Sequence, residues 1–212
     1  MTTGLSELLG AESVAAVDPS EPFAQACAAR LPGVRVEVAA AEALPFTDAS
    51  FDAALSQLVV NFMTDATAGV REMRRVTRPG GTVAAAVWDY ANGMTLLRRF
   101  WDAAIALEPQ AERLDEGRTM RNCEPDKLAQ LWREAGLEAV ATSALSVGAD
   151  YDDFDDLWQP LEAGVGPAGA YVAALPAEQR AQLRDELRRR LDVGDSPFRL
   201  SARAWCVTGH VP

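Results

Sequence analysis

The chain is poor in the residues that carry most acid–base, nucleophilic and metal chemistry. It has one histidine, His210, and three widely spaced cysteines, Cys27, Cys123 and Cys206, among 212 residues. These residues do not form a Ser-His-Asp or Cys-His arrangement, and the cysteines lack the paired spacing of a zinc site or a disulfide framework. The sequence therefore predicts no metal site, and it leaves the catalytic residue unassigned.

Positive charge is also scarce. Lysine and arginine number 20 against 31 acidic residues, which gives a formal net charge of −11. This balance argues against electrostatic capture of nucleic acid or of an anionic membrane. No apolar run approaches the roughly 18 residues of a membrane span, and the N-terminus lacks the regions of a signal peptide. We expect a cytoplasmic protein with a small-molecule partner, and homo-oligomerisation is compatible with this composition.

Strand-like and helix-like segments alternate through the first two thirds of the chain, the pattern of a parallel sheet with strand–helix–strand crossovers. The predicted fold class is α/β, with a Rossmann-like, doubly wound, mostly parallel sheet and one late antiparallel strand. We expect a single domain over 1–212, in which 150–196 form a helical insertion or lid. Strands are predicted at 13–18, 34–39, 51–58, 82–88, 137–147 and 199–211. Apolar positions at helical spacing predict a helix over 66–77, which a turn at 78–81 ends.

Asp18 has the sharpest predicted role. It follows the apolar run 14–17, where an open α/β sheet places a carboxylate on the ribose of a nucleotide cofactor. An aspartate after an apolar run is also a common helix or turn cap. From this residue alone both interpretations remain open.

Four short motifs, taken together, carry a family resemblance. They are Val17-Asp18-Pro19-Ser20, Ala41-Glu42-Ala43-Leu44-Pro45-Phe46, Ser50-Phe51-Asp52, and Arg78-Pro79-Gly80-Gly81 before a strand. In this order they resemble the class I S-adenosylmethionine-dependent methyltransferases, in the branch that includes quinone-biosynthesis and small-molecule enzymes. The resemblance is close over roughly residues 1–90 and looser beyond them.

The resemblance implies S-adenosylmethionine as the cofactor and assigns its contacts. Asp18 would hold the ribose, and Pro19 and Ser20 would lie beside the adenosine. The remaining implied residues are Ala41 and Glu42, which would border the adenine, and Gln57 and Leu58, which would line the pocket near the methionine end.

One element of that family has no counterpart in the first thirteen residues, namely a strand that ends in a glycine-rich turn. The segment Met1–Gly10 matches best the helix that follows the turn, and an alternative alignment places Thr3-Gly4 at the end of the turn. We therefore expect a sheet with two open edges where a central strand would lie, and weak cofactor binding. The hypotheses are an N-terminally truncated chain, or a relative that has lost cofactor binding.

A second glycine-rich segment, Gly164–Gly169, fits the G-x-G-x-x-G pattern but follows no predicted strand. Pro167 also removes a backbone donor from it. We interpret this segment as a flexible hinge or loop of the lid.

The predicted function is transfer of a methyl group from S-adenosylmethionine to a small, partly apolar acceptor. Methyl transfer depends on in-line placement of the reactants more than on a strong acid or base. The alternatives are a non-catalytic scaffold whose sheet a partner completes, and a nicotinamide-dependent oxidoreductase. Aromatic side chains are the candidates for acceptor binding: Trp88, Tyr90, Phe62 and Trp158.

Overall fold

The computed structural model describes residues 1–212, and the chain divides into two compact units. The first consists of 1–87, 124–143 and 206–212, and the second of 88–123 and 144–205. The single domain with a helical insertion stays a prediction. No helix combines the length and the apolar character needed to cross a membrane.

The strands are β1 Ala15–Asp18, β2 Arg35–Val38, β3 Phe51–Gln57, β4 Thr77–Trp88, β5 Glu138–Tyr151 and β6 Phe198–His210.

Nine α-helices accompany these strands, with short 3-10 turns at 11–13, 60–62 and 109–114. The helices are α1 Thr2–Leu9, α2 Glu21–Arg30, α3 Ala66–Val76, α4 Thr95–Leu107, α5 Glu116–Thr119, α6 Pro125–Glu134, α7 Phe154–Glu162, α8 Gly166–Ala174 and α9 Ala177–Leu191.

The strands form the predicted α/β arrangement. β1 pairs in parallel with β2, and β3 pairs in parallel with β4. The larger sheet has the order β3-β4-β6-β5. β6 runs antiparallel to β4, because the Gly81 carbonyl accepts from the Val211 amide while the Asp89 amide donates to the Arg203 carbonyl. The prediction of a mostly parallel sheet with one late antiparallel strand is confirmed.

No strand lies between β1 and β3. β1 has β2 as its only neighbour, and β3 lies at the edge of the four-stranded sheet. Each strand therefore has one side without a backbone ladder, as the sequence predicted. This division separates a two-stranded sheet from a four-stranded one.

Local sequence signals explain why α3 forms where it does. The Asp65 carboxylate accepts a hydrogen bond from the Ala68 amide at 2.9 Å and caps the first turn. Val70, Met73 and Val76 recur every three residues and are buried, so one face of the helix packs into the first unit. Arg74 and Arg75 in the last turn favour the helix dipole.

The segment 78–81 was predicted as a turn before a strand, but it is part of β4. Phe51 lies opposite Thr77 and Ala53 lies opposite Thr82, so 78–81 form a bulge in the ladder. A Cβ added to Gly81 would lie 2.6 Å from the Asp52 carbonyl oxygen and 2.5 Å from a Thr77 methyl carbon. The position therefore requires glycine.

The second unit has an apolar core built from α4, α7, α8 and α9. The predicted hinge or loop at 164–169 is wrong from Gly166 onward, because α8 begins there with Pro167 in its first turn. Ala168 and Val172 on this helix are buried, and this packing overrides the local preference of glycine for loops. Fully buried members of the core include Phe100, Trp101, Leu157, Leu183 and Leu187.

Candidate functional site

A cavity of about 570 Å³ lies in the first unit. Its walls come from β1, from the loop 39–46 after β2, and from β3 and the segment that follows it. β1 and β3, each of which has a ladder on one side only, both contribute to it. The cavity therefore coincides with the break in the sheet.

Asp18 lies at the carboxyl end of β1 and lines this cavity. Its Oδ1 accepts a hydrogen bond from the Ser20 amide at 2.8 Å, which gives the turn-cap geometry that the sequence left open. Oδ2 has no protein partner. The same carboxylate therefore caps the entry to α2 with one oxygen and has a second oxygen available for a ligand.

Glu42 also lines the cavity, and it has a structural partner. Its Oε1 accepts from the Thr64 amide at 2.8 Å and from the Asp65 amide at 3.2 Å. Because Asp65 caps α3, Glu42 connects the cavity loop to the start of that helix. This tether was not evident from the sequence.

Arg75 and Glu72, near the end of α3, form an ion pair beside the cavity loop. The two side chains pair through Nε–Oε1 at 2.6 Å and Nη2–Oε2 at 2.8 Å. The hydrogen bond from Arg75 is the main reason that the pKa of Glu72 is lowered, and burial opposes it. Hydrogen bonds to Glu72 and then Asp48 raise the pKa of Arg75 further above its ordinary value. The pair is fully charged at neutral pH.

This ion pair reaches the cavity loop through backbone contacts. Arg75 donates to the Leu44 carbonyl at 3.0 Å and to the Phe46 carbonyl at 2.8 Å, and the Leu44 amide donates to Glu72 Oε2 at 2.9 Å. Sequence reasoning missed these residues. The Glu72–Arg75 spacing of three on a helix was a signal for the pair, but not for its loop partners.

Six of the predicted site residues line the cavity together: Asp18, Pro19, Ala41, Glu42, Gln57 and Phe62. Ser20 and Leu58 do not. Ser20 is instead the N-cap residue of α2, and its amide bonds back to Asp18. Leu58 has a left-handed backbone, φ 61°, which directs its amide to the Ala86 carbonyl of β4 at 2.7 Å.

The other predicted acceptor residues, Trp88, Tyr90 and Trp158, belong to the second unit. Trp158 is 3% exposed and stacks with Phe154 at a centroid distance of 6.3 Å inside the apolar core. Tyr90 is also buried, and Trp88 is half-buried at the end of β4. A role for these three side chains in acceptor binding stays a prediction.

Comparison with known proteins relates the chain to methyltransferases. Residues 1–85 match the family of methyltransferase domains. The chain is 34% identical over 147 residues to a demethylmenaquinone methyltransferase of Roseiflexus castenholzii, covering 63% of this chain and 61% of that protein. It is also 34% identical over 114 residues to a malonyl-[acyl-carrier protein] O-methyltransferase of Erwinia pyrifoliae, covering 47% of this chain and 43% of that one. The chain thus spans less than two thirds of either relative.

A solved structure extends the likeness of fold to nearly the whole chain. Phosphoethanolamine N-methyltransferase 2 of Haemonchus contortus, in complex with phosphomonomethylethanolamine and S-adenosylhomocysteine, superposes with a TM-score of 0.56 at 14% identity. The superposition covers 99% of this chain and 46% of that one. At this identity the likeness concerns the fold alone.

Proposed function

We propose that this chain, a relative of the class I methyltransferases by its fold and by the match of residues 1–85, binds S-adenosylmethionine in the cavity of its first unit. The observation that carries the proposal is the position of Asp18. Asp18 lies at the carboxyl end of a parallel strand and lines a cavity of about 570 Å³, and its Oδ2 accepts no hydrogen bond within the protein. Ligand pockets in proteins typically measure about 300–1,000 Å³.

The cavity walls fit two of the three parts of this cofactor, its ribose and its purine base. Asp18 supplies a carboxylate oxygen that can accept a hydrogen bond from a ribose hydroxyl. Ala41, Leu44 and Phe46 supply an apolar wall of the kind that a purine base packs against. When bound, S-adenosylmethionine supplies a sulfonium methyl group. The role of Asp18 and of the apolar wall is to hold and orient the cofactor.

We propose a small, partly apolar molecule as the methyl acceptor. Phe62 supports a partly apolar acceptor, because its large apolar side chain lines the cavity. The residue is 60% exposed, so its ring is accessible to a ligand. The two relatives are named for different acceptors, demethylmenaquinone and malonyl-[acyl-carrier protein]. Methyl transfer depends on in-line placement of the acceptor more than on a strong base.

Asp18→Asn tests the cofactor site. The asparagine Oδ1 still accepts from the Ser20 amide, so the turn survives while the charge on the free oxygen is lost. Titration of the ¹⁵N-labelled chain with S-adenosylhomocysteine, followed by amide chemical shifts, detects even weak binding. We expect the amides of Asp18, Ala41 and Gln57 to shift with one dissociation constant, and Asp18→Asn to raise that constant about tenfold, a change of about 1.4 kcal/mol.

Glu138→Gln is the matched control, since Glu138 is exposed and does not line the cavity. It should leave the dissociation constant unchanged. Shifts confined to residues outside the cavity, or equal effects of the two variants, would overturn the assignment.

A second candidate function, a non-catalytic scaffold, is favoured by the open edges of β1 and β3. Unpaired backbone groups on two strands are complementary to an extended strand supplied by a partner. Complete absence of ligand-induced shifts in the same titration would favour the scaffold over the enzyme.

A further inference from the structure

The loop 39–46 forms one wall of the cavity but has little regular structure of its own. Between β2 and β3, one backbone hydrogen bond within the loop is formed, from the Ala43 amide to the Ala40 carbonyl at 3.1 Å. Ala41, Leu44 and Phe46 of this loop face the cavity. Their positions therefore depend on contacts that the loop makes with other elements.

Glu42 holds the first part of the loop through the Thr64 and Asp65 amides. The main-chain contacts of residues 44–46 converge on one guanidinium group. Arg75 donates to the Leu44 and Phe46 carbonyls and to the Asp48 carboxylate, and it pairs with Glu72. Glu72 in turn accepts from the Leu44 amide. The Ala49 amide then donates to the Arg75 carbonyl at 2.9 Å, so the end of α3 holds the loop by main chain and side chain alike.

The chemistry of arginine suits this position. Its planar group presents several donors in a fixed fork, which can serve two carbonyls and two carboxylates at once. A lysine ammonium is a point charge on a flexible stem and cannot hold the same partners in the same plane. The Arg75 and Glu72 side chains are 31% and 22% exposed, so solvent competes only partly for these bonds.

We propose that Arg75, held by Glu72, is a positioning residue that pre-orders the cavity loop for the purine base of the cofactor. Neither residue lines the cavity, so the pair acts through the backbone of residues 44–46. Ordering the loop before the ligand arrives removes that entropy loss from the binding step. The inference rests on the proposed cofactor site and adds the residues that shape its base-binding wall.

Arg75→Lys tests the inference, with Arg78→Lys as its matched control. Arg78 follows three residues later, is exposed, pairs with the exposed Asp52 and donates to the Pro79 carbonyl at 3.3 Å, without contact to the cavity loop. Titration with S-adenosylhomocysteine should show a dissociation constant about tenfold higher for Arg75→Lys than for the unaltered chain, and no change for Arg78→Lys.

A second ligand separates positioning from a general loss of stability. S-Inosylhomocysteine differs from S-adenosylhomocysteine only in its purine base. A smaller folded fraction would weaken both ligands equally, whereas a disordered base wall lowers the preference between them. The preference is the ratio of the two dissociation constants, that for S-inosylhomocysteine over that for S-adenosylhomocysteine. We expect this ratio to fall toward one in Arg75→Lys and to persist in Arg78→Lys.

Glu72→Gln provides an independent measurement if Arg75→Lys fails to fold. The variant keeps an acceptor for the Leu44 amide but loses the charge that orients Arg75. We expect faster hydrogen exchange at the Leu44 amide and the same loss of base preference. An unaltered preference in both variants would overturn the inference alone. No binding by the unaltered chain would overturn the proposed function and, with it, this inference.

Discussion

Asp89 and Arg203 form an ion pair in which the carboxylate is buried and the guanidinium is partly exposed. Both belong to the second unit, and the Arg203 Nε donates to Asp89 Oδ2 at 2.9 Å. The Asp89 side chain is 2% exposed against 38% for Arg203. Asp89 Oδ1 also accepts from the Asn92 amide, and Arg203 lies over the Trp205 ring at 4.7 Å. The two partners therefore differ in what their loss leaves behind.

Substitution of the arginine should destabilise the protein more than substitution of the aspartate. Arg203→Met leaves a buried carboxylate without its counterion, at a cost of about 3 kcal/mol in the free energy of unfolding. Asp89→Asn keeps the acceptor for Asn92 and lets Arg203 reach solvent, at about 1 kcal/mol. Urea unfolding measures both.

Arg199→Met is the matched control for this comparison, because Arg199 lies on the same strand and pairs with the exposed Asp150. Its effect should be under about 1 kcal/mol. Equal losses from Arg203→Met and Asp89→Asn would contradict the asymmetry.

Glu116 should make the stability depend on pH. Its carboxylate is buried and accepts from Trp101 Nε1 at 3.2 Å, and burial raises its pKa above the ordinary value of 4.5. Trp101 and the nearby Arg98 oppose this shift, while Asp115 adds to it. The folded state therefore favours the protonated acid. Its contribution to stability is present below pH 4.5 and is lost as the pH rises through the raised value.

Glu116→Gln removes this dependence and keeps an acceptor for the Trp101 indole. We expect the free energy of unfolding of the variant to increase relative to that of the unaltered chain as the pH rises from 4.5 to 8. Urea unfolding at each pH measures this difference. Glu112→Gln, at an exposed position in the same segment, controls for the change in net charge. A stability difference that stays constant across the range would refute the argument.

Ala49 has a left-handed backbone that is unfavourable for any residue with a Cβ. Its φ is 53°, and its amide bonds to the Arg75 carbonyl. Ala49→Gly keeps that bond and removes the steric cost, so we expect a gain of about 0.5–1 kcal/mol in thermal or urea unfolding. Ala43→Gly, at an exposed position without a positive φ, should give no gain. A loss at both positions would show that the strain at Ala49 is negligible.

The sequence was informative where structure depends on neighbouring residues. The apolar runs predicted strands at 13–18 and 51–58, and the structure has β1 at Ala15–Asp18 and β3 at Phe51–Gln57. The predicted helix over 66–77 is α3, one residue shorter. These elements follow from periodicity and caps, which are local properties.

The sequence was less informative where contacts join distant segments. Arg75 lies 31 residues after Leu44 and 29 after Phe46, and periodicity says nothing about which loop a helix end will hold. The glycines of 164–169 favoured a loop, but Gly166 and Gly169 lie in α8, whose Val172 is buried. The Asp18 carboxylate forms the predicted turn cap through Oδ1, while its contact with a ribose stays a prediction.

The break between β1 and β3 also bears on how the protein folds and fluctuates. Backbone ladders couple neighbouring strands, so that neither opens without the other. β1 and β2, with α2 between them in the chain, share a ladder with each other and with no other strand. We therefore expect residues 15–38 to open together, as a cooperative unit, at a lower free energy than the four-stranded sheet. One wall of the cavity belongs to this less stable unit, so occupation of the cavity would stabilise residues 15–38 first.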